Sequence, residues 1–102
     1  MSNLVDMTLL DDSLNFKTMR DFKWCMRYGG EVEFLWKEKF YCAFGKLKHP
    51  ETGKVQICIC EANKPGTGQW YDTADEALEY LLGGKERLRD IITQVKVIDR
   101  TI

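Results

Sequence analysis

Glu31-Val-Glu-Phe-Leu-Trp36, Lys37-Glu-Lys39 and Phe40-Tyr-Cys-Ala-Phe44 form the stretch whose reading decides the fold. The two outer runs are rich in β-formers, and the polar break between them is short enough to join antiparallel neighbours. With Lys37 and Glu38 as a two-residue turn, Trp36 faces Lys39, Phe34 faces Tyr41 and Val32 faces Ala43. Strand periodicity then sends Val32, Phe34, Trp36, Tyr41 and Ala43 to one face. Leu35, Phe40, Cys42 and Phe44 go to the other, with Glu31 and Glu33 toward its end. A third run, Val55-Gln-Ile-Cys-Ile-Cys60, follows the turn signal His49-Pro-Glu-Thr-Gly53, so the three make a meander in sequence order. Its side chains also divide, Val55, Ile57 and Ile59 against Cys58 and Cys60. A sheet with one wet face would alternate apolar with polar residues, and this one does not. Either helices cover both faces, or a partner or second copy closes one of them.

Outward from the sheet, Thr18-Met-Arg-Asp21 starts a helix, with Thr18 as N-cap and an acidic residue three positions on. That helix spans 19–28 and stops at Gly29-Gly30. Met19, Phe22 and Met26 share the side that faces the sheet. Arg20, Trp24, Arg27 and Tyr28 form a second stripe away from it, unusual for a plain surface helix. These four are the candidate partner-binding residues. The competing reading packs Trp24 and Tyr28 under the N-terminal arm, against Leu9, Leu10 or Leu14.

On the C-terminal side, Asn63-Lys-Pro-Gly-Thr-Gly68 reads as a loop without the pattern of a phosphate-binding loop, and Gln69-Trp-Tyr71 as a short fourth strand. Thr73-Ala-Asp-Glu76 is a full capping box, and Ala74, Ala77, Leu78, Leu81 and Leu82 give a helical stripe ended by Gly83-Gly84. A third helix over 86–94 follows from Leu88, Ile91, Ile92 and Val95, and the tail 95–102 turns β-like and pairs at the sheet edge. The expected fold is therefore α+β: an antiparallel three- to five-stranded meander carrying an N-terminal helix and two C-terminal helices. Residues 1–17 form a loosely held arm before a single domain over 18–102.

The strings Thr18-Met-Arg-Asp-Phe22, Tyr28-Gly-Gly-Glu-Val-Glu-Phe34 and Phe40-Tyr41 resemble a group of short uncharacterised Firmicutes proteins, often from mobile elements. That group has a helix, a GGEVEF-like first strand, a hairpin, and a capped helix before an LRDII-like segment, here Leu88 to Ile92. The resemblance covers residues 18–98 and leaves the arm outside. Its motifs are caps, turns and core positions, so it implies no activity and no catalytic residue.

Composition narrows the function classes. The chain has 102 residues, 44% hydrophobic and 30% charged, enough for one core without staples. A net charge of -1 argues against a surface built throughout for nucleic acid, although a local patch can still be basic. No membrane span or secretory signal is expected. The four cysteines lack zinc-finger or zinc-ribbon spacing and read as small hydrophobes in a reducing cytoplasm, with a Cys42–Cys58–Cys60 metal cluster as the competing reading. His49, the only histidine, has no evident nucleophile or orienting partner. Glu31 and Glu33 read as edge protection, and Asp72, Asp75, Glu76 and Glu79 as acids at a helix start, with a metal or basic partner as their alternative. The sequence thus points to a non-enzymatic protein without cofactor or resident metal. Its expected role is protein interaction or self-association, and the alternative is nucleic-acid binding through the basic and aromatic helix face.

Overall fold

The computed structural model describes residues 13–102. Residues 1–12 of the expected arm, with Leu9 and Leu10, lie outside the described residues. Helix α1 (Met19–Arg27) precedes four strands, β1 (Glu31–Trp36), β2 (Lys39–Lys48), β3 (Val55–Glu61) and β4 (Lys64–Tyr71). Then come α2 (Ala74–Ala77), a small hairpin of β5 (Leu81–Leu82) and β6 (Glu86–Arg87), α3 (Leu88–Ile91) and β7 (Lys96–Arg100). The main sheet is antiparallel in the order β4-β3-β2-β1-β7, a meander closed at one edge by the C-terminal strand.

The β1–β2 register is the one the sequence implies, with Trp36 opposite Lys39, Phe34 opposite Tyr41 and Val32 opposite Ala43. Lys37 and Glu38 turn the chain with φ of 49° and 67°. Two successive left-handed residues are what a two-residue hairpin needs to match the strand twist, even without Asn-Gly.

Among the described residues, the buried helical side chains gather on one face of the sheet. Phe22, Cys25 and Met26 of α1, Ala77 of α2 and Leu88 and Ile91 of α3 join a single cluster with Val32, Phe34, Tyr41, Ala43, Ile57, Ile59 and Val97. The opposite face carries Leu35, Phe40, Cys42, Phe44, Cys58, Cys60 and Trp70, and none of these belongs to that core. Among the described residues no helix packs there. Phe16, 1% exposed, completes the core from before α1, while Asn15 Oδ1 accepts the Val97 N–H at 2.8 Å.

Four elements depart from the sequence reading. β2 continues past Phe44 because its register shifts between Phe44 and Leu47, carrying the strand across Gly45. A Cβ at Gly45 would collide with the Met26 carbonyl oxygen, so glycine lets α1 lie directly on β2. β4 starts at Lys64, because the chain reverses at Asn63 (φ 64°) and an edge strand tolerates the missing N–H of Pro65.

The third departure is the second helix, which lasts one turn rather than running to Leu82. Its capping box forms as expected, Thr73 Oγ1 accepting the Glu76 N–H at 3.1 Å and Glu76 accepting the Thr73 N–H at 3.2 Å. Beyond it, the Leu78 and Tyr80 carbonyls accept from Arg89 and Leu88 N–H groups, each at 2.8 Å. A longer helix would claim those carbonyls itself. Those long-range bonds also satisfy the first amides of α3, which has no side-chain cap. Gly83 and Gly84, both at positive φ, then form a hairpin turn instead of a helix stop. α3 is shorter than 86–94 because Glu86 and Arg87 pair with Leu82 and Leu81. Its expected core residues, Leu88, Ile91, Ile92 and Val95, are all buried.

Candidate functional site

Helix α1 is held at both ends and along one side. Thr18 Oγ1 accepts the Asp21 N–H at 3.1 Å, and Gly30 N–H donates to the Cys25 carbonyl at 2.8 Å. The Asp21 carboxylate accepts from Arg100 Nη2 at 2.7 Å, and that guanidinium lies 4.4 Å from the centroid of the Phe16 ring. This charge-assisted bond ties the start of α1 to β7. With Phe22, Cys25 and Met26 buried beneath, helical rotation fixes residues 20, 24, 27 and 28 outward.

Trp24 and Tyr28 are each 52% exposed. Their ring centroids are 4.7 Å apart at 47°, and the Arg27 guanidinium lies 5.9 Å from the Tyr28 centroid. Leu14, the described member of the proposed arm cover, is itself 37% exposed.

Arg20, Trp24 and Arg27 also line a groove of about 760 Å³ between α1 and the sheet. Tyr28 is not in its lining and sits beside Trp24 at the outer end of the stripe. The far side is built from Lys46 of β2, Val55 and Gln56 of β3, and the segment 72–75 that caps α2. Met26 and Ile57, 1% and 6% exposed, contribute its apolar floor. Val55 is 64% exposed at the rim.

The charges of the groove are unequal. Lys23 spans it to Asp75 at 2.8 Å, while Asp72 accepts from Gln56 at 2.8 Å and pairs with Lys54 at 3.6 Å. Arg20, Arg27 and Lys46 have no ion-pair partner among the described residues.

Sequence reasoning found the α1 half of this groove and missed the other half. Lys46 was hidden beyond the bulge in β2, and Asp72 and Asp75 looked like acids serving a helix start. Of that acidic group, only Glu76 caps through its side chain. Glu79 instead pairs with Arg87 and Arg89. The signal for Lys46 is the basic pair Lys46 and Lys48 that follows Gly45.

The histidine is held within its own turn. His49 Nδ1 accepts from the Glu51 and Thr52 amides at 3.1 and 3.4 Å, and its ring packs 4.4 Å from that of Trp70. Cys42 and Cys60 face each other across β2 and β3. Burial pushes the Cys58 thiol up to about 11, with nearby Cys60 adding to the rise. Burial raises Cys42 and Cys60 as well, the direction opposite to an activated nucleophile. Among the described residues no three His, Cys, Asp or Glu side chains converge to hold a metal ion. Nor is any described helix long and apolar enough to cross a membrane. Comparison with protein-family models, with curated proteins and with solved structures finds no match to this chain.

Proposed function

We propose that this protein is a small non-enzymatic interaction module that binds a protein partner through the outer face of α1. The observation that carries this reading is the Trp24–Tyr28 pair, both rings half exposed and in contact on a helix pinned from beneath. Trp, Tyr and Arg are the side chains enriched at binding hot spots, because they bury large area with little loss of freedom. The resemblance to Firmicutes mobile-element proteins supplies a setting, that of an accessory or inhibitory protein.

The test is capture of a partner from the native host, identified by mass spectrometry, with wild type and with Arg20→Ala plus Trp24→Ala. The double variant should lose the partner while its unfolding free energy stays within about 0.5 kcal/mol of wild type, as for exposed positions generally. A loss of about 3–5 kcal/mol, the cost of truncating a buried aromatic, would place Trp24 in a core and end this reading. A second reading is nucleic-acid binding, supported by the three cations beside Trp24 that have no ion-pair partner among the described residues. Mobility shift of a single-stranded oligonucleotide, abolished in the same variant, would favour it.

A further inference from the structure

The groove beside α1 has a chemistry more specific than its aromatic rim. Its lining contains four cations, Arg20, Lys23, Arg27 and Lys46, and two carboxylates, Asp72 and Asp75. The chain as a whole is at -1, so this surplus of positive charge is local. The carboxylates are already engaged, Asp75 by Lys23 and Asp72 by Gln56 and Lys54. Among the described residues the charge left unanswered in the lining is therefore all positive. It flanks an apolar strip made by Trp24, Val55 and the floor residues Met26 and Ile57.

We infer that the groove takes an extended acidic segment of a partner protein, with an aromatic or large aliphatic side chain set against Trp24 and Val55. This rests on the reading of the α1 face as a protein-binding surface and names the chemistry of what it binds. Acidic side chains on one edge of an extended peptide would meet Arg20 and Arg27 on the α1 wall, with Lys46 adding its charge from across the groove, while the apolar anchor lies on the strip between the walls. A peptide can separate its charges in this way because successive side chains alternate in direction. A nucleic-acid strand cannot, since it brings a phosphate with every nucleotide. Those phosphates would have to pass Asp72 and Asp75 on the far wall, and the lining offers three cations without an ion-pair partner among the described residues to answer them. Complementary charge of this kind sets partner choice and association rate more than total affinity.

Three probes are titrated against the full chain at low salt. The first is a short synthetic peptide of alternating glutamates and leucines with one central tryptophan, and the second is the same peptide with glutamine for glutamate. The third is a single-stranded oligonucleotide of equal length. The acidic peptide should bind about tenfold or more tighter than the amide peptide, and rising salt should remove the difference. Arg20→Glu with Lys46→Glu should abolish the preference without shifting the melting temperature, because both side chains are exposed. Equal binding of both peptides, lost in Trp24→Ala, would overturn the acidic preference and leave the protein-binding reading intact. Preference for the oligonucleotide would overturn both. Failure of both peptides while host-partner capture remains sensitive to Trp24 would sink only the partner chemistry proposed here.

Discussion

Cys58 is 4% exposed on a sheet face that no described helix covers. Its shelter is lateral: Phe44 stands opposite it on β2 and Trp70 on β4. Low exposure raises its ionisation to about 11, with Cys60 adding. Burial likewise raises Tyr80, with Tyr41 adding, and raises Cys25 against the opposing pull of Arg100. In the unfolded chain a thiol ionises near its ordinary value of 9.0. The unfolded state therefore releases protons first, and folding stability must fall with rising pH there. The contribution of Cys58 is fully present below about pH 9 and lost as pH rises through about 11. Melting temperatures recorded from pH 7 upward should be level to about 9 and then decline, and Cys58→Ala should soften that decline. A wild-type melting temperature unchanged between 9 and 11 would contradict the burial of these groups.

Among the elements, the first hairpin shows most directly what local sequence can and cannot determine. Its register is legible because a two-residue turn at Lys37 and Glu38 fixes the pairing, and a one-residue slip would part Val32 and Phe34 from Tyr41 and Ala43 onto opposite faces. The turn itself is poor in sequence terms, since Glu38 sits at φ 67° without being glycine or asparagine. A left-handed conformation costs an L side chain about 1–2 kcal/mol. Glu38→Gly should therefore raise stability by about 1 kcal/mol, read as a shift of the urea midpoint at constant slope. A loss of stability would mean that the extra freedom glycine has in the unfolded chain outweighs the strain it removes. The caps of α1 and α2 were legible for the same reason as the register, because the interacting residues are three apart in sequence. The end of α2 was not, since Leu78 and Tyr80 lose their carbonyls to amides of residues 89 and 88. Nothing within residues 74–82 signals that competition. The candidate site divides along the same line: the α1 stripe follows from helical period, whereas Lys46, Val55 and Asp75 join it only through the tertiary fold.

For the whole molecule, the helical layers among the described residues lie on one side of the sheet, and the self-association expected from the sequence would use the other. A second copy of this chain would match it, because the same apolar surface recurs on both partners about a twofold axis. Glu31 and Glu33 stand toward one end of that face, so an antiparallel arrangement keeps the two acidic ends apart. Size sets the strength. Five strands about 4.8 Å apart and about six residues long cover roughly 20 by 20 Å, about 400 Å² in plan. A stable interface removes about 800 Å² of accessible surface per partner, so this one falls at the weak end. The exposure is also uneven: Phe40 is 44% exposed, while Leu35, Phe44 and Trp70 are half-buried among their neighbours. We therefore expect a dimer with Kd of about 0.1–1 mM, invisible in dilute solution and centred on Phe40. Sedimentation equilibrium should show an average mass rising toward twice the monomer as the protein is concentrated into that range. Phe40→Lys should hold the mass at the monomer value while leaving the melting temperature close to wild type, since the ring is not part of the core. A wild-type chain that remains monomeric at about 1 mM would mean that lateral packing on the sheet shields the face sufficiently by itself.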